Sequence, residues 1–452
     1  MNAKELQEYR TKNYRDLYSG IIPDRFPVND GFSVECLIQY AGKDLLTTQY
    51  QYTTELLIEI LEKGMEISRG DNYQASYARN AVTNLFTRSR SFTMSKTGMI
   101  QHPEVSGMEA DEYDEFIENP AKFSADKVQI RLNEGYQGSK WEMVYNYMKQ
   151  YFAAQDMNRA FAEANAYIKE KYGMFTPPDG TTGMTAPPFD SLADFNRGFT
   201  NISIDIKRRP QKVLDAIEAL MPQAIAMQRF SKVDILGASR IMTHMGVFLN
   251  KKDFDKFYWP TFYKLCHIAG ERGQRMFIFC EGDWTRFIDE LSTLPAGTRL
   301  WLEYGDPQQF KDKLGDKFIL SGFYPLTLLK NGTKQQCIDK AKELVDILAP
   351  GGNYFFDFDK HALDLNDINP ENYIATMEWV LDNAKYANAG QKSINVEFED
   401  TVVKGFAKDY PAPKSAYNVP FDEYIKKYPP VDDRAIPAMR EAYNKYARYG
   451  GM

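Results

Sequence analysis

The chain has 452 residues, more than one hydrophobic core needs, so it holds one large α/β domain with insertions or two domains. Its 43% hydrophobic and 26% charged residues are those of an ordinary globular protein, and a net charge of −7 without a long basic run excludes nucleic acid as a partner. No apolar stretch reaches the roughly 18 residues of a membrane span, and Met1 to Arg15 lacks the apolar core of a signal peptide.

Cys36, Cys266, Cys280 and Cys337 are scattered, with no C-x-x-C pair. A disulfide framework is not expected, and a reducing cytoplasm is the expected location. Aromatic residues are abundant, with 29 Tyr and 29 Phe. They suit either core and loop packing or the covering of a large aromatic or apolar ligand.

In chain order, the first strand candidate is Phe26-Pro27-Val28, ending at Asn29 and Asp30. A helix is expected from about Thr48 to Lys63, with Leu56, Leu57, Ile60 and Leu61 at helical spacing and Gly64 as its cap. Residues 65–180 read as a helical and loop insertion. It holds a helix at Glu109 to Ile117 and one or two helices over Trp141 to Lys171, broken near Ala153–Met157. The breaker-rich run Thr176 to Gly183 closes it as a loop.

From about 210 the pattern alternates. Pro210 opens a helix to about Met227, and Asp234-Ile235-Leu236 reads as a short strand before the polar tract Ser239 to His244. A helix over Phe254–Glu271 precedes four strand–helix units. Their strands are Met276–Cys280, Arg299–Tyr304, Lys317–Phe323 and Asn353–Phe358; their helices are Trp284–Leu291, Pro307–Leu314, Lys334–Leu348 and Pro370–Lys385. Short links between alternating elements imply parallel strands with right-handed crossovers, and the number of units fits a (β/α)8 TIM-type barrel. Residues 400–452, rich in Tyr, Pro and charge, read as a C-terminal extension that wraps the barrel or a neighbouring subunit of a homodimer.

The strand tails carry the chemistry. Cys280 and Glu281, then Glu303 and Asp306, then Ser321, then Asp357, Asp359 and His361 converge at one end of successive strands, where such folds place active sites. Thiolate, carboxylate and imidazole are zinc ligands, so Cys280, Glu281 and His361 form a candidate metal site. The alternative is a buried inert cysteine, a helix-capping glutamate and a loop histidine. His244 follows another strand and is a candidate for substrate contact, or else a satisfied structural histidine. Glu303 is a candidate acid or base. Asp306 reads as the N-cap of the helix at Pro307. Adjacent Cys266 and His267 lie within a helix and point different ways, so no joint site is expected there. Dinucleotide, P-loop and nucleophile-elbow motifs are absent from the sequence.

Several short segments together resemble the uroporphyrinogen decarboxylase superfamily. Pro23-Asp24-Arg25-Phe26-Pro27-Val28 resembles its "DR.PV" opening, and Trp259-Pro260-Thr261-Phe262-Tyr263-Lys264 its "P-x-x-K" helix. Tyr304-Gly305-Asp306-Pro307 is similar to its "DP" step, and Leu326 to Thr333 to its "LL..GT" turn. The resemblance spans about 20–60 and 190–390. It implies a single (β/α)8 barrel over 1–452.

Members that decarboxylate uroporphyrinogen carry R-Q-A-G-R near the N-terminus. This chain has Leu37-Ile38-Gln39-Tyr40-Ala41-Gly42-Lys43, without either arginine. The resemblance therefore points to the corrinoid-dependent methyltransferase branch. Its coenzyme M enzymes hold zinc through H-x-C after one strand and a cysteine after the last. Here Phe279-Cys280-Glu281-Gly282 and His361 occupy those regions.

The implied activity is transfer of a methyl group from a small methylated donor, preferably an aryl methyl ether, to the cobalt of a partner corrinoid (cobalamin) protein. Zinc or an acid would activate the leaving oxygen. The alternatives are a cofactor-free decarboxylase of a porphyrinogen-like acid and a non-catalytic barrel that binds a corrinoid or tetrapyrrole.

Overall fold

Residues 239–243 and 276–281 repeat one physical pattern: every second side chain is buried and the ones between are partly exposed. A strand sends successive side chains to opposite faces. At these two strands one face is therefore packed and the other lines a hollow that solvent reaches, while the strands at 299–302, 319–322 and 354–355 are buried on both faces.

The computed structural model describes residues 1–73, 80–228 and 231–447. An antiparallel pair, β1 (Thr93–Met94) and β2 (Ile100–Gln101), stands apart. The main sheet is parallel and runs in chain order: β3 (Gly183–Thr185), β4 (Ser239–Thr243), β5 (Met276–Asp283), β6 (Arg299–Tyr304), β7 (Ile319–Gly322) and β8 (Tyr354–Phe355). Helices separate the strands, as the alternating pattern requires. Beyond β8 the parallel pairing continues through single bridges, Val28 to Phe356 and then Asn29 to Asn72.

The sheet is strongly curved. In a flat sheet β5 and β8 would lie about 14 Å apart, three strand spacings. Yet the rings of Phe277 on β5 and Phe355 on β8 flank one guanidinium, that of Arg299, at 4.6 and 3.5 Å from its carbon.

The main core lies between the packed face and the helices. Ile241, Ile278, Cys280, Leu300 and Leu302 meet Phe254, Tyr258, Phe262 and Cys266 there. A second core joins the helix Thr54–Gly64 to the C-terminal half of the helix Lys140–Tyr172. A third seats the N-terminal helix Ala3–Tyr18: its Tyr14, Leu17 and Tyr18 pack on Phe175, Ile319 and Phe355.

Several elements match expectation to the residue: the helices at Pro210–Met227, Pro307–Leu314 and Lys334–Leu348, and the strand Arg299–Tyr304. Asp306 caps the helix at Pro307, accepting from the Gln308 N–H.

Four expectations change. The strand expected at Asp234–Leu236 is the turn before β4, and the tract Ser239–Thr243 is the strand. The helix Lys140–Tyr172 is continuous, with no break near Ala153–Met157; it contains no Gly or Pro, a Ser139–Glu142 capping box starts it and left-handed Gly173 ends it. The loop expected over Thr176 to Gly183 ends in β3 at Gly183. The helix expected from Thr48 is two helices, Leu45–Thr48 and Thr54–Gly64, parted by the N-cap Thr53. No helix among the described residues is long and apolar enough to cross a membrane.

Candidate active site

The half-exposed face presents Arg240, Met242 and His244 from the β4 row and Phe277, Phe279 and Glu281 from β5. Arg299, Trp301 and Glu303 continue the same face on β6, by the register Arg240 to Phe277 to Arg299. Apolar rings thus form the walls, guanidinium groups the floor and carboxylates the rim.

At the rim, His244 sits just past β4. Its Nδ1 lies 3.1 Å from both oxygens of Asp194. Asp190, one helical turn earlier on the same face, takes the backbone N–H groups of His244 and Met245 and the hydroxyl of Tyr258, each at 2.9 Å. The hydrogen bond to Asp194 raises the His244 pKa to about 9. Burial, with Asp194 adding, raises that of Asp190 to about 7. His244 is therefore an imidazolium at neutral pH, with Nδ1 committed to Asp194 and Nε2 left as the proton-bearing tip. It borders a cleft of about 260 Å³ that His102, Val105, Phe199 and Phe248 also line.

Across the rim, Glu303 accepts the N–H of Gly282 at 2.8 Å and the ammonium of Lys360 at 2.9 Å. Gly282 has φ +78°, and a Cβ there would lie 2.8 Å from Val247, so the sharp turn at the end of β5 demands glycine. Glu281 stands before this turn. Burial raises its carboxyl pKa, Glu303 and Asp194 push the same way, and His244 opposes them.

His361 lies deeper, its ring 4.9 Å from that of Trp301 and its Nε2 3.3 Å from the Asn29 amide. That amide also reaches both oxygens of Asp357 at 3.2 Å. Asp357 in turn pairs with Arg299 at 2.6 Å, and Arg299 donates to Ser321 at 3.1 Å. Burial lowers the His361 pKa, so the ring is neutral. Trp301 is pinned by its Nε1–H donating to the Phe358 carbonyl at 2.6 Å.

The structure brings His244, Glu281 and Glu303 to one rim and places His361 on the inner wall. It sends Cys280 to the other side. Cys280 is fully buried in the helix-facing core, where burial raises its thiol pKa. The trio Cys280, Glu281 and His361 therefore does not fit a zinc ion: the thiol faces away from the other two, and His361 Nε2 is occupied by Asn29. Among the described residues no group of three or more His, Cys, Asp and Glu side chains is placed to hold a metal.

Sequence reasoning missed Asp190, Asp194, Arg240, Arg299 and Lys360. The spacing of the two aspartates by four, just after Pro187-Pro188, was the available signal for that pair. Compared with models of known protein families and with curated proteins, the chain matches none.

Proposed function

We propose that this chain transfers a methyl group from a small methyl ether, preferably an aryl one, to a corrinoid carried by a partner protein. The observation that carries the reading is the His244–Asp194 pair: a proton donor with a pKa of about 9, held at the carboxyl end of a parallel strand beside aromatic walls.

An ether gives up its methyl group poorly because the leaving oxygen takes the bonding pair as an alkoxide or phenoxide. A positioned acid removes that obstacle. As the carbon–oxygen bond breaks, the pair goes to oxygen and the His244 proton follows it. The products are a free alcohol or phenol and the methylated acceptor. The partner's corrinoid supplies the nucleophile. Asp194 holds the imidazole by Nδ1, so Nε2 delivers the proton, and Phe277, Phe279 and Trp301 offer flat apolar surface to an aryl ring. Acid activation takes the place of zinc, because the expected zinc ligands do not converge.

The curved sheet with its eight parallel segments supports a (β/α)8 barrel, whose mouth would admit the donor and the corrinoid face together. Cobalamin reduced to the cobalt(I) state, incubated with the purified chain and methoxybenzene or methoxyphenols, should yield methylcobalamin and phenol, followed by absorbance. If no methyl ether gives methylcobalamin under these conditions, the reading is lost.

A second reading, cofactor-free decarboxylation of a porphyrinogen-like acid, is favoured by the two guanidinium groups on the floor. Release of carbon dioxide from uroporphyrinogen by the purified chain would replace the first reading with this one.

A further inference from the structure

The floor of the hollow holds one positive charge too many. Arg240, Phe277 and Arg299 share one register row on one face of the sheet, with Phe277 on the strand between the two arginines. Arg299 is fully engaged, by Asp357, by Ser321 and by the faces of Phe277 and Phe355. Arg240 is different. Among the described residues it has neither hydrogen bond nor ion pair, and the groups that act on its charge are the Tyr18 and Tyr14 hydroxyls and Arg299, with no carboxylate among them.

Arg240 is only partly exposed, and water is all that answers its charge, so an incoming anion would meet a cation that the protein has left open. A second group nearby is also unanswered. Tyr14 is 3% exposed, and its hydroxyl has no hydrogen-bond partner. Its ring meets Phe355 edge-on at 5.6 Å, and Phe355 carries the Arg299 guanidinium on its face at 3.5 Å. Arg240 offers a planar fork of N–H donors, and Tyr14, close enough to act on its charge, offers one O–H donor without a partner.

We propose that Arg240, assisted by Tyr14, is the binding subsite for the carboxylate of a small planar acid. A guanidinium fork matches a carboxylate edge with two parallel hydrogen bonds. The charge count selects a monoanion: two guanidinium groups against Asp357 leave one positive charge, which a carboxylate neutralises and a phosphate dianion would overshoot. Neutral His361 adds no charge to the count. Phe277, Phe279 and Trp301 then face the ring of the acid.

The inference shares with the methyl-transfer reading only the hollow itself, and its test uses no methyl acceptor. Titration calorimetry of the full chain with benzoate, and with benzamide as the neutral isostere, should show benzoate binding roughly ten- to hundredfold tighter. Arg240→Gln should abolish that preference, Arg240→Lys should keep part of it, and Tyr14→Phe should weaken benzoate alone. Equal affinity for the two probes, or no binding of benzoate, overturns the proposal.

Arg240→Met carries a second readout. Without ligand it should raise the melting temperature, because it removes an uncompensated cation. A lowered melting temperature would mean that Arg240 already has a structural partner, and would overturn the proposal too. If a variant fails to fold, the ratio of benzoate to benzamide on the unaltered chain still decides.

Discussion

A histidine becomes an acid at neutral pH only if something stabilises its charged form, and here that is Asp194. Because the folded pKa of about 9 lies above the ordinary 6.5, the imidazolium contributes stability in full below about pH 6.5. That contribution is lost as pH rises through about 9. The same titration bounds catalysis: methyl transfer should hold through neutral pH and fall above about 9. Asp194→Asn should move that limb down toward 6.5, and a limb that stays in place would show that another group donates the proton. His244→Gln should cost roughly 10² to 10⁴ in rate with the fold intact. A near-wild-type rate would remove His244 from the chemistry.

At the scale of elements, buried Asp71 ties three parts of the chain together. It takes the Arg25 guanidinium at 2.7 Å, the Val28 N–H at 3.0 Å and Arg10 of the N-terminal helix at 3.2 Å. Asp71→Ala would strand the Arg25 charge in the interior and should cost about 3–5 kcal/mol in denaturant unfolding. A loss under 1 kcal/mol would mean that Arg25 finds another partner.

Elements also explain what was legible in the sequence. β5, β6 and β7 announce themselves as apolar runs stopped by polar residues, because most of their residues meet other side chains. β4 does not, because Arg240 and Met242 face the hollow and break the apolar run. Spacing located Glu281, Glu303 and His244 at strand ends. It did not say which face Cys280 takes, and alternation along β5 decides that against the metal site. Asp194 stayed hidden because β3, the strand before it, has three residues and no periodicity to read.

The whole molecule divides into a sheet-centred body and a tail whose parts attach differently. Residues 402–410 dock on the helix Trp259–Glu271: the Val403 N–H donates to His267 at 3.0 Å, and Tyr410 meets Lys264 at 2.9 Å. Farther on, the helices Phe421–Lys427 and Ile436–Ala447 hold each other, through Phe421 on Tyr443, Tyr424 on Tyr443 and Arg440 with Asp422. Ending the chain after Val419 should shift the melting temperature by less than about 2 °C. A larger drop would place that helical pair in the folding unit of the body.

The split between a packed and a solvated sheet face also sets how this protein tolerates change. Replacing Ile278 or Leu300 opens a cavity in a filled core and is felt as lost stability. Replacing Met242, Phe277 or Phe279 alters a surface that water already touches, so the body survives while the shape of the hollow shifts. β4 and β5 thus carry two alphabets in alternation, one constrained by folding and one free to drift, and selection can rewrite what the hollow accepts there without renegotiating the fold.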